Sequence, residues 1–216
     1  MDKILIWLKD TLMALPAVLI ALSFHEFAHG YASWKLGDPT AKNLGRLTLS
    51  PFKHLDPLGF VCLLFFGFGW AKPVPVNARY YKNPRAGMAI TAAAGPLMNL
   101  VLGFFGVLVY KLIYLIPATT DFLLNFKGVL LEMVLIFCTL NISLCVFNLI
   151  PIPPLDGSRI AFIFMPPKWY FGIMKYERYI YLGLIVLMML GVFDSTIGWL
   201  SRKILIGFLS FWRLIF

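Results

Sequence analysis

Long apolar blocks separated by short polar and basic ones dominate this chain. Residues 12–34, 86–116, 128–150 and 176–193 are each nearly free of charge. About 20 apolar residues cross the hydrocarbon core of a bilayer, so these four blocks predict four spanning helices. The first block follows Lys3 and Lys9 and runs through His25 to Trp34 with no small-residue cleavage site. It therefore reads as a retained helix and not as a removed signal. A proline-rich break follows the third block, and residues 158–165 read as a short half-helix. Residues 199–216 carry Arg202, Lys203 and Arg213 among apolar positions and predict an interfacial helix, with a further span as the alternative.

The loop 35–85 has a pattern of its own. In 43–50, Leu47 and Leu49 alternate with Arg46 and Thr48. In 71–77 the run A-K-P-V-P-V-N excludes a helix and a central strand but suits an extended edge. Between them, 58–70 is apolar, punctuated by Gly59, Gly67 and Gly69, and too short to span, which predicts a re-entrant segment packed on protein. The expected fold is one all-α polytopic membrane domain over 1–216. It has about four to five transmembrane helices and a re-entrant, partly extended loop between the first and second.

Composition agrees with this pattern. The 216 residues are 60% hydrophobic and 13% charged, too apolar for a soluble domain of this length to hide its hydrophobic surface. The formal net charge of +9 sits between the apolar blocks, so it predicts orientation in a bilayer and attraction to anionic headgroups, not nucleic-acid binding. The loop 35–85 and the segment after the third block share the Lys and Arg excess, which puts both on the cytoplasmic side and the N-terminus outside. Cys62, Cys138 and Cys145 form no CxxC and read as small buried hydrophobes. The sequence sets no oligomeric state.

Candidate chemistry begins at His25-Glu26-Phe27-Ala28-His29, an H-E-x-x-H run inside the first apolar helix. Residues i and i+4 share a helix face, so both imidazoles can meet one tetrahedral zinc, with the glutamate beside it as a base. An acid within a membrane helix costs at least about 2.5–3.5 kcal/mol, and a metal gives it a reason to be there. Zinc then needs a third protein ligand and an open position. Asp156 stands where the run N-L-I-P-I-P-P-L-D-G (148–157) meets the half-helix; taken alone it could equally cap a turn. Glu132, Asp38 and Asp56 are the less suited acids. Asn99 and Asn148 are amides in apolar helices. Each can form an interhelical hydrogen bond or hold the substrate backbone or its carbonyl oxygen. Gly95 and Pro96 read as a packing or kink feature, and His54, next to Lys53, as a surface or interfacial residue.

The runs F-H-E-F-A-H-G (24–30), A-A-A-G-P-L-M-N (92–99) and N-L-I-P-I-P-P-L-D-G (148–157) resemble three signatures of the site-2 protease family of intramembrane zinc metalloproteases. The loop runs 37–51 and 69–77 resemble its compact bacterial and archaeal branch. The resemblance implies one zinc held by His25, His29 and Asp156, Glu26 as general base, and Asn148 near the site. It further implies a transmembrane protein as substrate and a prokaryotic cell membrane. The charge pattern puts the site toward the cytoplasm, since His29 is only a few residues from Lys35. Two other classes compete: a zinc-binding membrane scaffold without catalysis, and a metal transporter. The transporter would need ligands stepping across the bilayer, and the second and fourth apolar blocks offer no His, Asp or Glu in their cores.

Overall fold

The computed structural model describes residues 2–66 and 69–215. Among these residues there are helices and no strand. Helix α1 (Asp2–Lys35) starts earlier than the apolar pattern predicts and continues through the H-E-x-x-H run. Helices α2 (Thr40–Asn43), α3 (Pro51–His54) and α4 (Pro57–Phe66) occupy the long loop. Helix α5 (Pro84–Leu115) and helix α6 (Asp121–Asn148) form the other long elements. The chain ends with α7 (Asp156–Ala161), α8 (Pro167–Met174), α9 (Glu177–Met189) and α10 (Asp194–Arg213).

Three helices, α1, α5 and α6, are long and apolar enough to cross a membrane, and α9 with α10 makes a fourth span if that pair, bent by 78°, counts as one. The expected fourth helix over 176–193 is thus shorter. Gly191 turns the chain with φ 68°, and α9 alone, at 13 residues, is about 20 Å long. The C-terminal stretch packs onto α5 and α6. Trp212 Nε1 donates to the Phe104 carbonyl at 3.0 Å, and Lys111 Nζ donates to the Trp212 carbonyl at 2.6 Å. The polytopic, all-α class holds.

Helix α5 is the central post. Its buried face is built mostly from small residues: Gly87, Thr91, Gly95, Asn99 and Gly103 recur every four positions, with Ala89, Ala92 and Gly106 beside them. Such a stripe lets α1 and α6 approach closely where lipid offers no hydrophobic drive to hold helices together. Near the start of α1, Lys9 Nζ lies 3.2 Å from Glu132 Oε2 and ties α1 to α6.

The long loop departs from the sequence reading in two places. The run 71–77 is free of helix and bridges Leu55 at Ala71, whereas 43–50 opens on the last residue of α2 and a turn and continues without a strand. Asp38 accepts hydrogen bonds from the amide and hydroxyl of Thr40 and so starts a helical turn, which Gly45 ends at φ 64°. Second, His54 is not at the surface but 1% exposed. Its Nε2 donates to the Thr48 carbonyl at 2.7 Å, and its own carbonyl accepts from Lys72 N at 2.7 Å. Adjacent residues on a helical turn diverge by about 100°, so Lys53 facing out puts His54 inward. Helix α4 is capped by Asp56, whose Oδ1 accepts from Gly59 N at 2.9 Å. At 10 residues, about 15 Å, it cannot cross the bilayer, and a bridge between Leu55 and Ala71 brings the chain back to where it left. Residues 67 and 68 of the predicted re-entrant segment lie outside the described residues.

Candidate metal centre

His25 and His29 lie one turn apart on α1, and both rings face α5 and the start of α7. His25 Nε2 and His29 Nε2 are 3.0 Å apart, and Asp156 Oδ2 lies 3.2 Å from the first and 3.3 Å from the second. Among the described residues this is the group of His, Cys, Asp and Glu side chains whose atoms converge closely enough to hold a metal ion. Asp156 reaches it because the prolines at 151, 153 and 154 end the run after α6 and α7 begins at the aspartate itself. Gly157 allows that close return: a Cβ there would stand 2.6 Å from the Ile150 carbonyl oxygen.

The far nitrogens of the rings decide what the near ones offer. His29 Nδ1 is 2.7 Å from the Thr91 carbonyl oxygen, which can only accept, so Nδ1 carries the proton. His25 Nδ1 is 2.6 Å from Asn99 Oδ1. With Nδ1 protonated, each imidazole turns a bare Nε2 inward, and the aspartate adds an acceptor oxygen. Three acceptors at 3.0–3.3 Å repel one another unless a cation, a metal ion or a proton on one imidazole, lies among them. Ligands about 2.0–2.1 Å from a tetrahedral zinc lie about 3.3 Å from one another, so the donor set and its spacing fit zinc.

Gly95 is part of this geometry, beyond the packing feature read from the sequence. A Cβ on it would stand 2.7 Å from His25 Cε1 and closer still to His29 Nε2. The small stripe of α5 is therefore what lets a helix backbone lie directly behind two imidazoles. Pro96 has no N–H and leaves the Ala92 carbonyl without a helical donor beside the same site.

Glu26 is 8% exposed and borders the same cavity, and its Oε2 accepts from Val74 N at 2.8 Å. The cavity measures about 340 Å³ and is lined by His25, Glu26, His29, Asn148, Asp156 and the extended run around Val74. Asn148 is there as expected; its Nδ2 gives one hydrogen bond to the Leu144 carbonyl at 3.0 Å, leaving the second N–H for another acceptor. Asn99 is not. It is 0% exposed, stands behind His25 and spends its amide on protein partners, so it cannot hold a substrate carbonyl. Two residues missed from the sequence matter here: Asn141, which bonds Asn99 at 2.9 Å, and Arg159, which lines the cavity. Asn141 lies seven residues before Asn148, two turns back on one face of α6, and that spacing was the available signal.

Away from the metal group, Asp38 anchors the loop. Its Oδ2 accepts from Ser33 Oγ at 2.8 Å and from Asn77 N at 2.7 Å. Burial pushes its carboxyl up, but the hydrogen bonds from Thr40, Asn77 and Ser33 outweigh that and hold it below the ordinary carboxylate range.

Comparison with known proteins agrees with the site. The chain is 41% identical over 170 residues to "Putative zinc metalloprotease YwhC" of Bacillus subtilis, covering 79% of this chain and 77% of that protein. It is 32% identical over 155 residues to "Putative zinc metalloprotease MJ0611" of Methanocaldococcus jannaschii, covering 69% of each. Against "Putative zinc metalloprotease Rip2" of Mycobacterium tuberculosis it is 27% identical over 196 residues, 87% of this chain and 72% of that one. The model of peptidase family M50 matches residues 124–191. No solved structure matches. The chain belongs to peptidase family M50, the site-2 proteases, and is a membrane-embedded zinc metalloprotease.

Proposed function

We propose that this protein is an endopeptidase that hydrolyses a peptide bond within or next to a transmembrane segment of another membrane protein. One zinc is held by His25, His29 and Asp156, with Glu26 as general base and the site open toward the cytoplasm. The observation that carries this reading is the convergence of three ligand atoms and the Glu26 carboxylate on one cavity, bordered by an extended stretch of backbone.

Zinc, when bound, supplies Lewis acidity to the scissile carbonyl and makes a water acidic enough to ionise near neutral pH. Glu26 receives the proton of the attacking water and returns it to the leaving amine. The Val74 N–H fixes one carboxylate oxygen and leaves Oε1 for that proton. On this reading the second N–H of Asn148, not used by the Leu144 carbonyl, donates to the developing negative charge on the carbonyl oxygen.

A transmembrane helix hides its carbonyls in its own hydrogen bonds, so the substrate must be unwound and its backbone re-partnered at once. The run 71–77 offers that partner. Pro73 and Pro75 lack donors, Lys72 N and Asn77 N are already bonded, and Arg46 grips the Lys72 carbonyl at 2.7 Å. The Val76 N–H carries no hydrogen bond among the described residues and lies on the cavity. Substrate strand addition at Val76 follows from this. A second, apolar cavity of about 290 Å³ shares Leu22, Trp70, Leu144 and Phe147 with the first and adjoins it.

The test compares membranes holding wild-type and Glu26→Gln protein. Transmembrane stubs should accumulate in the variant while zinc stays bound at about one per chain. A zinc-loaded wild-type protein that cleaves no transmembrane substrate, with membranes identical to those of the variant, would sink the reading and favour a zinc-binding scaffold.

A further inference from the structure

Behind His25 lies a chain of buried amides that neither the proposed reaction nor the relatives' names account for. His25 Nδ1 meets Asn99 Oδ1 at 2.6 Å; Asn99 Nδ2 meets Asn141 Oδ1 at 2.9 Å; Asn141 Nδ2 meets the Phe137 carbonyl at 2.9 Å. Asn99 and Asn141 are both 0% exposed. The direction of the chain is set at its far end. A carbonyl only accepts, so Asn141 turns its NH2 to Phe137 and its oxygen to Asn99. Asn99 must then donate to Asn141, and the Ala21 carbonyl at 3.4 Å asks for the same NH2. Only the Asn99 oxygen is left for His25, so His25 keeps its proton on Nδ1 and its lone pair on Nε2, the atom that faces His29 and Asp156.

We infer that Asn141 is a positioning residue for the metal site: acting through Asn99, it fixes the tautomer of His25 and thereby the zinc affinity. The inference rests on the metal reading above. The physical reason is the symmetry of an amide. Asn99 without Asn141 is restrained only by the long 3.4 Å contact to the Ala21 carbonyl, so it can turn over about its last side-chain bond and present NH2 to His25 Nδ1. His25 would then accept there and carry its proton on Nε2, where zinc must bind. Apparent affinity falls by the fraction of chains left in the competent tautomer. A carboxylate in place of the Asn99 amide has no wrong end, so it would hold His25 correctly without help from Asn141.

That difference defines the experiment. Zinc affinity is measured by chelator competition on the full chain in detergent for wild type, Asn141→Leu, Asn99→Asp and the double variant. Asn141→Leu should lose about tenfold, within the 10–100-fold range of outer-shell partners of metal ligands. In the Asn99→Asp background the same change should lose less than about twofold. A packing role for Asn141 would weaken zinc equally in both backgrounds, and that result overturns the inference, as does an unchanged affinity in Asn141→Leu. If Asn141→Leu fails to fold, Asn141→Ser replaces it. Nitrogen NMR of labelled histidine provides a readout that needs no metal, since the chain holds only 3 His. At a pH where the imidazoles are neutral, His25 should carry its proton on Nδ1 in wild type and on both nitrogens in a mixture in Asn141→Leu. A wild-type His25 protonated on Nε2 overturns the amide chain whatever the zinc result. Wild type that binds no zinc but shows the expected tautomer would instead overturn the metal reading and leave the amide chain standing.

Discussion

The metal centre depends on a missing side chain as much as on those that are present. His25, Glu26 and His29 come from one helix and Asp156 from another, but the space for two imidazoles comes from Gly95 on a third. Gly95→Ala adds one methyl group to a backbone that already touches both rings. Overpacking of this kind costs about 1–3 kcal/mol, and here it falls on the ligands, so zinc affinity should drop at least about tenfold with little change in helix content. Zinc content and circular dichroism on the same purified sample check this; normal zinc binding would show that α5 can retreat and that Gly95 is not needed for closeness. The sequence displays this glycine within a small-residue run but not what it faces. Glycine spacing reveals a packing stripe; it does not say that the packed groups are ligands. The H-E-x-x-H pair was legible because one helix fixes its geometry by itself. Asp156 needed the resemblance, since nothing local separates a ligand from a turn cap.

At the scale of elements, the loop between α1 and α5 shows why some of the fold could be read and some could not. The prolines at 73 and 75 forbid a helix in any context, so the extended run over 71–77 was predictable. The run 43–50 alternates like a strand, but Asp38, several residues upstream, bonds Thr40 and starts a turn there. His54 was misread because its burial depends on Thr48 and Lys72, which reach it only after folding. Asp38 joins these parts: it ties the end of α1 through Ser33 to the end of the extended run at Asn77. From Ser33 the network continues through Tyr81 at 2.7 Å to Thr91 at 3.0 Å, whose carbonyl holds His29. Asp38→Asn should therefore destabilise the loop by about 1–3 kcal/mol, the cost of leaving buried donors poorly matched. The sign of the pH dependence follows from the depressed carboxyl of Asp38. Its contribution is present above the ordinary carboxylate value of about 3.9 and is lost as pH falls through the lower folded value. Melting curves of wild type and Asp38→Asn should differ near neutral pH and converge in acid. A constant gap down to the acid limit would mean that the charge on Asp38 plays no part.

Across the whole molecule, the site's depth joins topology to reaction. Helix α1 rises about 1.5 Å per residue, so His25 stands about 24 Å along it from Lys9, and His29 about 9 Å from Lys35. Lys9 pairs with Glu132 near the start of α1, while at its end Lys35 and Lys42 stand over Trp34, and Arg159 lines the cavity. In the orientation we propose from the Lys and Arg excess, that second end is the cytoplasmic one. On that proposal the metal group would lie inside the hydrocarbon boundary, His29 within about two helical turns of the cytoplasmic surface, close enough for water to reach it past the polar loop. Two consequences can be measured together. A cysteine placed at Lys82 should not react with an impermeant reagent in intact cells and should react once the membrane is opened. A substrate helix should be cut in its cytoplasmic third, faster when a helix-breaking residue is moved close to the bond and slower when the segment is made more helical. Moving the breaker to the outer third should not restore the rate, because the run proposed to receive the unwound chain lies beside Glu26, at the end proposed to be cytoplasmic. A labelled Lys82 position in intact cells would invert the topology. Cleavage at an unchanged rate with the breaker in the outer third would remove the link between the depth of the zinc group and the position of the cut.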